Sequence, residues 1–160
     1  MQPTTHPPHP EPTAPPRAHL CMDSAEYIFL NLFPITAAAA ASFLWGALWY
    51  YLLRRPYSRA VGESVHRRPL STYALVFALE WWLAAILIGA LILAPVEAGR
   101  WTVGLGSAFI IWVGFVLPAT VINTRLQPRP WSLALIDAGH WLGAMLVQAV
   151  VMLLVGTTAP

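Results

Sequence analysis

Polar and apolar positions fall in long blocks, not in the alternation of a half-buried strand or the single stripe of a soluble amphipathic helix. The apolar blocks run over 27–53, 71–94, 101–122 and 131–156. Each reaches or exceeds the ~20 residues that a helix needs to cross ~30 Å of hydrocarbon. The pattern predicts an all-α four-helix transmembrane bundle over 25–157. Residues 1–24 differ: Pro3, Pro7, Pro8, Pro10, Pro12, Pro15 and Pro16 lie among Thr and His without apolar periodicity. Such a segment buries too little surface to offset its ordering entropy, so a disordered tail is expected. It has neither the charged start nor the apolar core of a secretory signal. Met22 is an alternative start of translation, because Asp23, Ser24 and Glu26 after it supply capping and acidic residues for the first helix.

Composition supports the membrane assignment. The chain is 58% hydrophobic and 10% charged, with eight Trp and no Lys; soluble domains carry roughly 25% charge. A calculated pI near 9.0 raises the question of nucleic acid, but the arginines form no stripe that could follow a phosphate backbone. No nucleic-acid partner is expected. The single Cys21 excludes an internal disulfide and a thiolate zinc site. His6, His9 and His19 are irregularly spaced around prolines and make a poor metal motif.

Arginine placement predicts the threading. Arg54, Arg55, Arg59, Arg67 and Arg68 follow the first block, and Arg125 and Arg129 follow the third. The opposite side has only Arg17 and Arg100. By the positive-inside rule both Arg-bearing loops are cytoplasmic and both termini face out. Trp49, Tyr50, Tyr51 and Trp131 are expected as an inner aromatic belt, with Tyr27 and Trp101 at the outer face. Arg55-Pro56-Tyr57-Ser58 and Arg129-Pro130-Trp131-Ser132 echo one another and raise the possibility of two tandem hairpins. The bland explanation is that Arg, Pro and aromatics are common at inner interfaces.

Small residues mark close helix approach in lipid, where no hydrophobic drive brings helices together. Ala38, Ser42 and Gly46 fall at steps of four on the first helix, with Asn31 on the same face. Gly104, Ser107, Gly114 and Pro118 share a stripe of the third, and Pro118 should kink it near Gly114. On the fourth, Asp137, His140, Ala144 and Gln148 fall within ~80° at ~100° per residue. Gly139 and Gly143 lie opposite. Either this helix is central to the bundle, or the glycine face is a dimer seam.

Three intramembrane groups carry a cost. A carboxylate at bilayer centre costs ~2.5–3.5 kcal/mol even on lenient scales, so such groups usually face the bundle interior. Glu80 and His140 each lie nine residues into parallel helices, which places both ~13 Å from the cytoplasmic ends, with Asp137 one turn nearer the cytoplasm. A Glu80–Asp137–His140 cluster is therefore expected, with Asn31, Asn123 and Gln148 as secondary polar groups. The cluster could fix helix register, relay a proton or cation, or ligate a metal. Metal is disfavoured: di-iron bundles draw carboxylates from four helices with two histidines, and here one histidine lies within a span. No nucleophile–base pair, phosphate loop or two-histidine zinc motif is present.

Several stretches resemble a mainly bacterial membrane family catalogued as domain of unknown function 1761. They are Asn31-Leu32, Leu44-Trp45-Gly46-Ala47-Leu48-Trp49-Tyr50, Trp112-Val113-Gly114-Phe115, Ile122-Asn123, Arg129-Pro130-Trp131-Ser132-Leu133 and Leu135-Ile136-Asp137-Ala138-Gly139-His140. Asp137 stands where the family tends to carry Asn, which argues against a required charge there. The resemblance implies a small multi-pass bundle in a bacterial inner membrane and assigns no reaction, substrate or cofactor. The expected function is a non-enzymatic accessory or assembly component without cofactor, surrounded by the lipid bilayer. Its protein contacts would be a second copy, through the Gly139/Gly143 face or the small stripe of the first helix, or other membrane proteins. The alternative is a small proton- or cation-coupled transporter using Glu80, Asp137 and His140.

Overall fold

The computed structural model describes residues 29–62, 68–93 and 99–156. The expectations for the Pro-rich tail with its histidines, Cys21 and Met22, and for Tyr27 and Arg67, lie outside the described residues. The elements are α1 (Leu32–Leu52), α2 (Arg54–Val61), α3 (Leu70–Ile92), α4 (Arg100–Ile111), a π-helical turn (Trp112–Val116), α5 (Leu117–Leu126) and α6 (Trp131–Val155). Helix α4, the π-turn and α5 are continuous, so there are four spans of 21, 23, 27 and 25 residues. At 1.5 Å per residue even the shortest covers ~30 Å. Their outward surfaces are apolar, with Phe33, Leu44, Leu75, Trp82 and Phe115 exposed, as helices solvated by lipid require.

Helix α6 is the centre of the bundle: it packs against every other element. Its buried positions include Ala134, Ala138, Ala144 and Ala149, small side chains that let neighbouring backbones close in, with the larger Met145 and Met152 in the core beside them. Around it α1 supplies Ile35, Ala38 and Ala39, α3 supplies Ala84, Ala85, Leu87 and Ile88, and α4 supplies Ala108. At the Arg-poor end Arg100 donates to the Leu153 carbonyl at 3.1 Å, a cation on the C-terminal turn of α6.

Prolines set the boundaries at the Arg-rich end. Pro69 and Pro130 are the extended N-caps of α3 and α6, positions where the absent N–H has no helical partner to lose. The expected loop after the first span is in part helical. Pro56 cannot donate to the carbonyl of Leu52, so α1 stops at Leu52 and the chain restarts as α2 with Pro56 in its first turn. Pro56 and Pro130 thus do different work, and the two-hairpin echo is not a repeated structural unit. Helix α2 ends at Gly62, whose φ of 74° is left-handed. Arg129 Nη1 donates to the Val61 carbonyl at 2.6 Å and ties that end to the connection before α6.

Three further expectations need correction. The third span continues to Leu126, so Asn123 and Arg125 lie on its last turns rather than in a loop. The chain leaves the helix at Gln127, which is extended because Pro128 follows it. The distortion ahead of Pro118 is a π-turn, closed by Leu117 N–H donating to the Trp112 carbonyl. Its extra residue throws the small-residue stripe out of phase: Gly104 packs against Leu153, whereas Gly114 meets nothing and Pro118 is exposed. Finally, Trp49 and Tyr50 turn into the protein. Tyr51 and Trp131 remain exposed, beneath Arg54 and Arg125 at 5.3 and 4.7 Å from their ring centroids.

Candidate functional site

The polar groups inside the bundle form two layers. In the first, Ser42 Oγ lies 2.6 Å from Glu80 Oε2, and Gln148 Nε2 donates to Ser42 Oγ at 2.9 Å and to the Glu80 carbonyl at 3.1 Å. All three side chains are buried, Glu80 with 1% of its surface accessible. The layer ties α1, α3 and α6 together where no bilayer water could satisfy these groups. Asn31, also buried, sits at the head of α1, where its carbonyl accepts from Ile35 N–H at 3.0 Å.

Asp137 and His140 belong to the second layer, nearer the Arg-rich end. Tyr50 Oη donates to Asp137 Oδ1 at 2.9 Å. The His140 ring packs between Tyr50 and Trp141, with centroids at 4.9 and 5.2 Å, and its buried Nδ1 has no hydrogen-bond partner. Gly46 lets the ring in: a Cβ there would stand 2.9 Å from His140 Nε2. The expected meeting of Glu80 with His140 does not occur. Gln148 takes that place, eight residues or ~12 Å farther along α6. The depth argument set the starts of α3 and α6 level, but α6 has additional turns at the Arg-rich end, packed on α2 and α5.

Three tryptophans hold α6 by its backbone. Trp45 Nε1 donates to the His140 carbonyl at 3.3 Å, Trp49 Nε1 to Ile136 at 3.1 Å and Trp112 Nε1 to Ala138 at 2.8 Å. The glycine face receives the first two rings. A Cβ on Gly143 would overlap the Trp45 ring, and one on Gly139 would lie 3.0 Å from Trp49. Of the two sequence alternatives, α6 is therefore the central helix. Both proposed dimer seams, Gly139/Gly143 and Ala38/Ser42/Gly46, are occupied within one chain.

Asp137 also faces a cavity of about 370 Å³ at the Arg-rich end. Tyr50 and Tyr57 wall it from the first-span side, Thr120, Asn123 and Thr124 from α5, and Gln127, Arg129 and Trp141 complete it. Thr120 and Thr124 satisfy their hydroxyls on carbonyls one turn back, at 2.8 Å each. Charges of both signs reach this space. Burial pushes the Tyr57 phenol up and Asp137 pushes it the same way, while Arg68 and Arg129 oppose them. Beside the cavity an apolar groove of about 400 Å³ runs between α3 and the π-turn and α5. Thr120, Asn123 and Trp141 line both spaces. Asn123 was expected as a secondary polar residue, and Tyr57 and Arg129 stood out only in the topology and the echo at the Arg-rich end, but Thr120, Thr124 and Gln127 were not picked out. Uncharged polar residues at span ends carry no insertion penalty that would single them out. Among the described residues no three His, Cys, Asp or Glu side chains gather as metal ligands would.

Four apolar spans, three of them packed around the fourth, with a polar cavity at one end, define a small multi-pass membrane bundle. The chain belongs to the family described as protein of unknown function (DUF1761), whose profile matches residues 33–153. That match covers all but the outermost residues of the four spans, and both polar layers. No curated protein and no solved structure matches the chain.

Proposed function

We propose that the protein is a non-enzymatic accessory component of the bacterial inner membrane, and that its cavity at the Arg-rich, cytoplasmic end binds a polar ligand. The observation that carries this is the separation of the polar groups. Glu80 is enclosed with Ser42 and Gln148, whereas Asp137 lines the cavity eleven residues, or ~16.5 Å, from Gln148 along α6. Small and apolar side chains, Ala144 and Met145 among them, fill the level between. A relay needs groups within hydrogen-bond reach of one another, so this spacing favours binding over passage across the membrane. The cavity has the size and mixed lining of a small-ligand site.

Transport remains the second reading because Asp137 is a carboxylate on an accessible cavity. Purified protein in liposomes tests both. Binding predicts no pH-driven proton or cation flux, with wild type indistinguishable from Glu80→Gln/Asp137→Asn/His140→Asn. Flux that the correctly inserted triple variant loses would overturn the accessory assignment.

A further inference from the structure

The polar cavity and the apolar groove adjoin at Thr120, Asn123 and Trp141, which line both. Their order along the bundle matters. The cavity includes Gln127 and Arg129 at the Arg-rich end, and the groove runs toward mid-membrane, past Asn123 to Phe115 on one side and Ile86 on the other. From Asn123 to Phe115 is eight residues, or ~12 Å. A polar head at the interface and an apolar tail directed inward is the disposition of a phospholipid in that leaflet.

Charge narrows the head group. Asp137 lies deeper, with Tyr50 engaging Oδ1, so the carboxylate retains acceptor capacity. Arg129 lies at the rim and spends Nη1 on the Val61 carbonyl, which leaves guanidinium donors suited to a phosphate. A single anion would place its charge against Asp137, and a single cation would place its own against Arg129. A zwitterion with ammonium and phosphate a few bonds apart matches both. We infer that cavity and groove are one amphipathic site for an aminophospholipid, its phosphate toward Arg129, its head group folded back so that the ammonium meets Asp137, and an acyl chain between α3 and α5.

The inference rests on the ligand-binding reading of the cavity and names its ligand, so the test separates the two. The full chain, purified in detergent, is exchanged into equimolar dioctanoyl phosphatidylethanolamine and dioctanoyl phosphatidylglycerol, and retained lipid is counted by native mass spectrometry. Retention of the ethanolamine lipid several-fold above the glycerol lipid is expected. Asp137→Asn, which can still accept from Tyr50, should bring the ratio near one. Ala119→Phe, on the exposed wall of the groove, should reduce retention of both lipids with the fold intact by circular dichroism. Equal retention by wild type, or a preference unchanged in Asp137→Asn, overturns the inference. Glycerophosphoethanolamine, the head group without chains, is the second probe. Binding as tight as that of the lipid would overturn the amphipathic site and leave the cavity a ligand site. No binding of any probe would remove both readings.

Discussion

Ser42 Oγ has three polar neighbours and one proton to give. Gln148 Nε2 donates to it, the Ala39 carbonyl can only accept from it at 3.0 Å, and Glu80 Oε2 lies 2.6 Å away. A neutral Glu80 donating to Ser42 satisfies all three contacts, whereas an ionised one competes with Ala39 for the same proton. Glu80→Gln should therefore fold and unfold like wild type to within about 1 kcal/mol, since an amide also donates. Ser42→Ala should cost about 0.6–1.7 kcal/mol, the range measured for interhelical hydrogen bonds in membranes. Unfolding in mixed micelles compares them; a Glu80→Gln loss larger than that of Ser42→Ala would show that the charge itself is needed. Glycines differ in the same local way. A Cβ at Gly46 meets His140 Nε2 at 2.9 Å, and the ring, held between Tyr50 and Trp141, has little room to retreat. Gly46→Ala should cost about 1–3 kcal/mol by overpacking. Gly106 faces open space, so Gly106→Ala should be neutral or gain up to about 1 kcal/mol from helix propensity. Equal thermal shifts for the two would contradict the packing of His140.

Helix α2 lines the cavity through Tyr57 and the π-turn precedes α5, which lines it through Thr120, Asn123 and Thr124; each has a separable support. Arg129 clamps the last residue of α2, while Ala60 is the only buried side chain of α2. Arg129→Gln should raise amide hydrogen exchange over 54–61 by about tenfold or more while the spans stay protected. Unchanged exchange would mean that α2 is held by its packing on α6 alone. The π-turn carries one residue more than an α-helix would use and absorbs it by under-winding, so deleting Val113 should convert it to α-helix and leave the facing of α5 almost unchanged. Thr120 and Asn123 should stay at the cavity, and an Asn123→Cys label should keep its accessibility; a changed accessibility would show that α5 had rotated. How much of this could be read beforehand divides along the same line. Span existence depends on length and apolarity, both local, and Gly139/Gly143 announced a close approach. What filled that approach was not local: Trp45 and Trp49 have the composition of belt residues, and nothing in their spacing says that their N–H groups reach carbonyls of α6. The stagger of α3 against α6 depends on packing at both ends, so equal residue counts from the span starts misplaced Glu80. Asp137 and Asn123 were legible one by one, but the cavity they share was hidden because its other walls, Tyr50, Tyr57, Thr120, Thr124 and Gln127 among them, are ordinary residues from separate stretches.

At the scale of the molecule, the arrangement of charge and the use of the small residues make separate claims. Arg54, Arg55, Arg59, Arg68, Arg125 and Arg129 lie at one end of the bundle and Arg100 at the other, which favours an Arg-rich end held inside. In a Cys21→Ser background, an exposed Gln127→Cys should resist a membrane-impermeant maleimide in intact cells and label in opened vesicles; labelling of intact cells would reverse the orientation. Self-association is the other whole-molecule question. In a dimer that used Gly139 and Gly143 as its seam, Gly143→Leu would drive the folded subunits apart, halving the mass and leaving each subunit's unfolding almost unchanged. Here the face is filled by Trp45, whose ring occupies the space that a Gly143 Cβ would take, so the added side chain must force α1 off α6. Loss of stability, about 2 kcal/mol or more, should therefore appear with no change in the mass measured by light scattering. An oligomer would then be built on the lipid-facing apolar surfaces, where Phe33 and Leu44 of α1, Trp82 of α3 and Phe109 and Phe115 of the third span are exposed. Substitutions there, and not at the glycines, are the ones that should shift the mass.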